Sequence, residues 1–385
     1  MDRIYKLYNK IKNYEWGSPD LIPQFLGMKN QGCMPYAEMW MGTHDSALSL
    51  TDEIVSLKEI AGNLPFLFKL LAVEKPLSIQ AHPNREKALE GFSLEETAGL
   101  DIKSPMRNYK DKNHKSELLC AISPFTLMAG FKELEAIGKY LKEFALIFPQ
   151  LKEIILPLQR SLNTGSLAVF FRILFNLSML EREYISSLIK EKDIKIKSDI
   201  ITCEQWSLIK SFASMYPQDP ATLSPLYLNL LELQPGRAVY IPSGMLHSYI
   251  SGFGVEVMTA SDNVLRGGLT PKYIDIPELM NITDFEPYYP KIISPVYNTK
   301  SPSWFCYECE EFTLALANGG GGEQKFRGQA PAICLVTQGV LSANGLTFNK
   351  GDSFFIPKGM EELKFSGNFS AFCVYSTGST VLGFN

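Results

Sequence analysis

Histidine is almost missing from this chain: His44, His82, His114 and His247 are the only four among 385 residues. Any imidazole chemistry must come from these positions. A surplus of positive charge is missing too. With 37 Lys+Arg against 41 Asp+Glu the net charge is −4 and the pI is near 5.8. No broad basic field exists to hold nucleic acid, which excludes that class of partner. Long apolar runs are also absent. Leu64–Val73 and Ser166–Leu180 are interrupted by Lys69 and Arg172, and both fall short of the roughly 20 residues of a membrane span. Residues 1–18 have no apolar core and no small-residue cleavage site, so a secretory signal is not expected. The seven cysteines are scattered and odd in number, a pattern of reduced thiols rather than of a disulfide framework. A cytoplasmic protein with no membrane and no obligate protein partner is the expectation. Cys306 and Cys309 have metal or redox spacing, but no second pair or nearby histidine completes a site, and they read as strand residues.

What is present suits folded domains. Hydrophobic residues make up 45%, aromatics 12% and charged residues only 20%, and the length calls for two or three cores. Residues 1–130 are rich in Gly, Pro and aromatics. Short runs there (Ala47–Leu50, Pro76–Ala81, Glu117–Ile122) read as strands. From 131 to 215 glycine nearly vanishes. Leu134, Ile137, Leu141, Phe144 and Phe148 recur at three- and four-residue steps, so a helix is expected over Leu134–Phe148, stopped by Pro149. Helical texture continues through Phe170–Leu180 and Glu204–Met215, and Lys190–Lys197 reads as a solvated connector. Strand texture returns at Leu231, punctuated by turns at Pro235-Gly236, Pro242–Gly244 and Gly252–Gly254. It continues in Pro331–Val336, Gly339–Ala343, Asp352–Ile356 and Ala371–Tyr375. The glycine run Asn318–Gly322 lacks the Lys-Ser/Thr and the following helix of a phosphate loop, and reads as a turn.

One constellation carries chemistry. Gln80 and His82 are two apart, so on a strand they leave the same face. Glu117 opens an apolar run, and a carboxylate entering a core needs a cation or several donors. The stretch 235–247 (PGRAVYIPSGMLH) reads as turn, strand, tight turn, then His247 opening a new strand. Two imidazoles, a carboxylate and an amide oxygen suit zinc, with Mn, Co or Fe(II) as competitors.

These motifs resemble the cupin superfamily of jelly-roll barrels, and more narrowly the type I phosphomannose isomerases. The closer likeness rests on Tyr14–Gly17 (YEWG), Ala37–His44 (AEMWMGTH), Leu77–Pro83 (LSIQAHP), Asp111–Glu117 (DKNHKSE) and Thr259–Lys272 (TASDNVLRGGLTPK), and spans roughly 14–280. It departs from the family pattern at Ser116, where a proline is usual, and at Asp45 after His44. The resemblance implies a mainly β fold, with two jelly-roll (cupin) barrels and a helical insert. The expected units are 1–130 with 223–299, the insert 131–222, and 300–385. It further implies one Zn2+ per chain on Gln80, His82, Glu117 and His247. Arg266 is implied as the active-site arginine, and mannose 6-phosphate and fructose 6-phosphate as the small-molecule sugar phosphates interconverted.

Such an isomerisation moves a proton between C1 and C2 through an enediol. Arg266 or Lys272 would stabilise its oxygen or hold the phosphate, with Lys115 as a further cation and Ser78 as a hydroxyl donor. For the base, Tyr249 and Glu256 follow His247. Glu256 stands in a buried run, either as the proton carrier or as a structural partner of Arg266 or Lys272. Asp262 is a further candidate, or a residue that holds Arg266. His114 and His44 read as bystanders, and Trp16 and Trp40 as a sugar-facing wall or core. Asp352–Glu362 repeats the shape of Ala238–His247 with Glu362 at the histidine position, so the second barrel lacks a metal set. The rival readings are an Fe(II) oxygenase and a non-catalytic sugar-phosphate-binding protein on the same barrel.

Overall fold

The computed structural model describes residues 3–30, 32–192, 198–297, 304–308, 312–320, 323–326, 330–360 and 363–376. Among these, strands gather into an eleven-stranded and a ten-stranded sheet. The main block of helices, from Leu134–Ile147 to Ser224–Tyr227, falls between strands Phe125–Phe131 and Leu228–Leu233. The expectation of a mainly β protein interrupted by helices therefore holds.

Strand Phe66–Val73 shows why a near-continuous apolar run becomes a central strand. It pairs with Glu38–Met41 on one side and with His247–Thr259 on the other, and all eight of its residues are buried. Lys69 is its one charged residue. The helix expected at Leu134 runs to Ile147 with Phe148 as its cap, and Pro149 opens a short 3-10 turn. Its apolar stripe joins a core that also contains Ile79, Ala81, Leu246, Leu265 and Leu269. The helices thus pack directly behind the strands that carry Gln80, His247 and Arg266.

Several local expectations are corrected. Gly252–Gly254 is not a turn: strand His247–Thr259 runs through it. The first part of this strand pairs with Ile79–Ala81 and Phe125–Phe131, and the part from Gly252 onward with Phe66–Val73 and Glu117–Ala121. The change of partners needs a bend. Gly252 supplies it with φ +137, where a Cβ would meet Phe125 at 2.6 Å. A 3-10 turn, Asp45–Ala47, occupies the start of the strand expected at Ala47. Ala332–Ala343 is one strand rather than two, and Asn318–Gly320 ends strand Phe312–Gly320. Lys190 and Glu191 end helix Met179–Glu191. Residues 193–197, Cys309, Gly321, Gly322 and Glu362 lie outside the described residues.

The ten-stranded sheet is built from the C-terminal stretch but takes in Tyr5–Tyr8 and Leu50–Thr51. One core joins the two sheets, with Phe68, Leu70, Val255 and Val257 from the first and Leu314, Leu335, Phe372 and Val374 from the second. The repeated Ile-Pro-x-Gly is a structural repeat as well, since Gly244 (φ +85) and Gly359 (φ +91) take the same left-handed turn after strands Ala238–Ile241 and Ser353–Ile356.

At the seam between sheet and helices, the buried Lys132 ammonium donates to the Leu228 carbonyl and stands 5.4 Å from the Tyr140 ring centre. It makes no ion pair among the described residues, and burial lowers its pKa to about 8. A lysine depressed on folding contributes stability above its unfolded pKa of about 10.4 and loses it as pH falls through 8. Lys132→Met should therefore be the more stable protein at pH 7, by about 1–3 kcal/mol, with the gap closing as pH rises towards 10 in urea titrations. Gly252→Ala should lose about 2–4 kcal/mol in the same assay through left-handed strain and the clash with Phe125. Gly320→Ala, where a Cβ meets nothing within 4 Å, should cost less than about 0.5 kcal/mol.

Candidate metal centre

Strands Ile79–Ala81, Glu117–Ala121 and His247–Thr259 carry Gln80, Glu117 and His247. His247 opens that strand opposite Gln80 and Ala129, and Glu117 faces Met258 near its far end. Antiparallel pairing thus brings together side chains separated by 167 residues in the chain. His82, Glu117 and His247 offer ligand atoms that all lie within 4.8 Å of one another, and all three are buried.

The protonation pattern decides what this cluster can hold. His82 Nδ1 lies 2.8 Å from the Asn263 carbonyl oxygen, and His247 Nδ1 lies 3.0 Å from that of Met245. A carbonyl can only accept, so each Nδ1 carries a proton, and in the neutral ring Nε2 presents a lone pair. These Nε2 atoms face the two Glu117 oxygens at 3.2 Å and 3.3 Å. With His82 neutral, two acceptors confront each other there, and His82 Nε2 is a buried nitrogen without a donor. Burial, with Lys115 next, lowers the His82 pKa to about 4, so protonation does not relieve the confrontation near neutrality. A cation does. Gln80 completes the ring, its amide nitrogen 3.4 Å from His247 Nε2, and a half-turn of the amide puts oxygen in that position. The donor set of two imidazoles, a carboxylate and an amide fits zinc.

Glu117 is held from outside the cluster as well. Lys115 Nζ lies 3.0 Å from its Oε1, and the Tyr249 hydroxyl donates to Oε2 at 3.0 Å. Burial alone would raise this carboxyl, but the Lys115 ammonium beside it holds it well below the usual range. Burial pushes the Tyr249 phenol well up, with the Glu117 and Glu256 charges adding to it, so Tyr249 stays a donor.

Beyond Tyr249 the polar chain continues to Glu256, whose partner is neither Arg266 nor Lys272. Lys69, directly opposite in the sheet, lies 2.8 Å from Glu256 Oε2 and 3.4 Å from Glu38 Oε1. The Trp40 indole N–H donates to Glu38 at 2.7 Å. Trp40 is thus buried and polar-paired, while Trp16 packs at the edge of a core and stacks on Tyr14. Burial raises the Glu256 carboxyl and the Lys69 ammonium pulls it back. Lys69 and Glu38 were missed in the sequence, where the available signal was a lysine inside an otherwise apolar strand.

Arg266 stands opposite Gln80 on strand Leu265–Gly268. It is half-buried and Lys272 is exposed. Burial lowers both pKa values, and the charge of Arg266 adds to the effect on Lys272. Neither makes an ion pair among the described residues. Ser78 is half-buried on the facing chain, next to Ile79, which pairs with Gly268. Asp262 does not hold Arg266. It lies 3.0 Å from His44 Nε2, and its backbone N–H donates to Asp111. Both His44 and Asp262, with His114, line a groove of about 910 Å3 outside the cluster. No helix among the described residues is long and apolar enough to cross a membrane.

Residues 4–134 match the family model of the phosphomannose isomerase type I catalytic domain. Mannose-6-phosphate isomerase of Escherichia coli K12 is 34% identical, over 92% of this chain and 94% of that protein. The human enzyme of the same name is 30% identical, over 89% of each. The crystal structure of mannose 6-phosphate isomerase with zinc bound superposes with a TM-score of 0.86 at 33% identity, covering 97% of this chain and 99% of that one. The Salmonella typhimurium enzyme bound to its substrate and a zinc atom matches equally well.

His247→Ala removes one lone pair from the cluster. It should weaken zinc binding at least 100-fold, read as metal content after dialysis against a weak chelator. The exposed Asp45→Ala should keep full occupancy.

Proposed function

The chain belongs to the type I phosphomannose isomerases, and from that premise we propose how its residues share the work of a zinc-dependent mannose-6-phosphate isomerase. The observation that carries the assignment of the centre is the buried, proton-free Nε2 of His82 facing Glu117, one strand away from Arg266, which has no ion-pair partner among the described residues. Gln80, His82, Glu117 and His247 would hold the ion, and zinc bound there would supply Lewis-acid chemistry to the substrate.

The remaining chemistry belongs to the protein. Open-chain mannose 6-phosphate becomes fructose 6-phosphate when the C2 hydrogen moves as a proton to C1 and the O2 proton moves to O1. Glu256 takes the proton from C2 and returns it to C1. Its burial suits this role, because a carboxyl raised towards neutrality can both accept and release a proton. Lys69 keeps Glu256 ionised before the transfer and aims its oxygen. Arg266 stabilises the negative charge that grows on the enediol oxygen. Lys272 and Ser78 receive the phosphate. Lys115 and Tyr249 orient Glu117, and Asp262 with His44 shapes the rim. The Lys69–Glu256 pair is an observation that favours an isomerase over a mere sugar-phosphate binder, since binding requires no buried proton carrier.

In architecture, we propose that 1–130 with 223–299 forms one jelly-roll unit and 300–385 a second, metal-free one. Strands Tyr5–Tyr8 and Leu50–Thr51 are lent to the second sheet, and 131–222 is the insert.

Purified protein should convert mannose 6-phosphate to fructose 6-phosphate, lose that activity on removal of zinc and regain it on reloading. Glu256→Gln should lower kcat by about 10²–10⁴ at nearly unchanged KM. Full activity in demonstrably metal-free protein would sink the zinc assignment, and an unchanged kcat in Glu256→Gln the choice of base.

A further inference from the structure

Between Arg266 and Lys272 the chain takes a conformation that its own residues do not favour. Gly268 has φ +123 and Leu269, a branched residue, has φ +53. Left-handed backbone at such a residue persists only where its surroundings impose it. The surroundings here come from the helical insert. Asp219 lies in the link between helix Cys203–Met215 and the 3-10 turn Pro220–Leu223, which it caps. Its Oδ1 accepts from the Ala221 N–H at 2.9 Å, and its Oδ2 accepts from the Thr270 N–H at 3.4 Å. The Leu269 N–H also donates to this carboxylate. A Cβ on Gly268 would stand 2.2 Å from the Ala221 Cβ and 2.9 Å from Asp219 Oδ1, so the backbone is pressed against the insert at this point. The turn is then passed on: the Thr270 hydroxyl accepts from the Lys272 N–H at 3.2 Å.

We propose that Asp219 is a positioning residue for substrate phosphate: it locks the Gly268–Thr270 turn and thereby sets the place of Lys272, making the helical insert part of the substrate site. The inference rests on the reading that Lys272 receives the phosphate. Asp219 touches neither substrate nor ion; it acts through the backbone N–H groups of Leu269 and Thr270. Its carboxyl is raised by burial, while the hydrogen bonds from Ala221, Thr270 and Leu269 pull it down. Those bonds are the ones the turn needs.

The test is steady-state kinetics of zinc-loaded Asp219→Ala, Asp219→Asn, Lys272→Ala and the double variant Asp219→Ala/Lys272→Ala. Asp219→Ala should raise KM for mannose 6-phosphate about tenfold with kcat within threefold. Asp219→Asn, which keeps one carbonyl acceptor, should fall in between. On the Lys272→Ala background the Asp219 substitution should add less than twofold, because its effect passes through that lysine. A merely structural role would instead lower the denaturation temperature or the active fraction while leaving KM alone, and that outcome overturns the inference. So does a double variant whose KM is the product of the two single effects. If Lys272→Ala raises KM while both Asp219 variants leave it unchanged, the inference alone fails. If Lys272→Ala leaves KM unchanged, the phosphate reading fails and takes the inference with it.

Discussion

The buried carboxylate of Glu117 is the constraint around which this structure is organised. Removing a carboxylate from water costs several kcal/mol even after relaxation, and Glu117 is 2% exposed. Its surroundings answer that cost with an ammonium from Lys115 and a hydroxyl from Tyr249, and two imidazoles stand beside it. The imidazoles, however, are turned the wrong way to donate: their protons are committed to the Asn263 and Met245 carbonyls. The protein thus holds lone pairs against lone pairs in a dry place. This arrangement favours a divalent cation over a proton, because the cation satisfies all of them at once.

The candidate ligands were legible in the sequence because each carries a local signature. Gln80 and His82 alternate on a strand, Glu117 breaks into an apolar run, and His247 follows a Pro-Gly corner. The residues that were not legible depend on register. Lys69 meets Glu256 across 187 positions and Glu38 across 31, and no local pattern announces which cation faces which acid. Reading outward from motif neighbours offered Arg266 or Lys272 as the structural partner of Glu256, whereas pairing of Phe66–Val73 with the long strand gives it Lys69. The pairing of Asp262 with Arg266 failed for the same reason, its partner being His44 rather than the arginine a few residues on. Gly252 and Gly254 misled in another way. Glycine in a strand signals either a turn or a close approach of backbone, and here it marks the second.

Strand His247–Thr259 ties these parts together. Its first residue supplies a candidate metal ligand, Tyr249 a donor to Glu117, and Glu256 the buried acid beside Lys69. The bend at Gly252 separates the stretch that carries the histidine and Tyr249 from the stretch that carries Glu256. The same strand forms the boundary of the core shared by the two sheets, through Val255 and Val257. A strand gripped by partners on both sides can hold ligand and acid at a constant separation, which a reaction between adjacent carbons requires.

The cations divide along the same line. Lys69 and Lys115 are buried and answer carboxylates of the protein; Arg266 and Lys272 have no such partner among the described residues. In a chain of net charge −4, leaving two cations together without acids is a costly arrangement unless something else supplies the negative charge. On the proposed roles, a sugar phosphate and its developing oxyanion would do so only while the substrate is bound, keeping the attraction for the ligand rather than for the fold. The proposed site is then asymmetric by construction: the carboxylates near the metal cluster are answered by the protein's own cations, and Arg266 and Lys272 by the substrate.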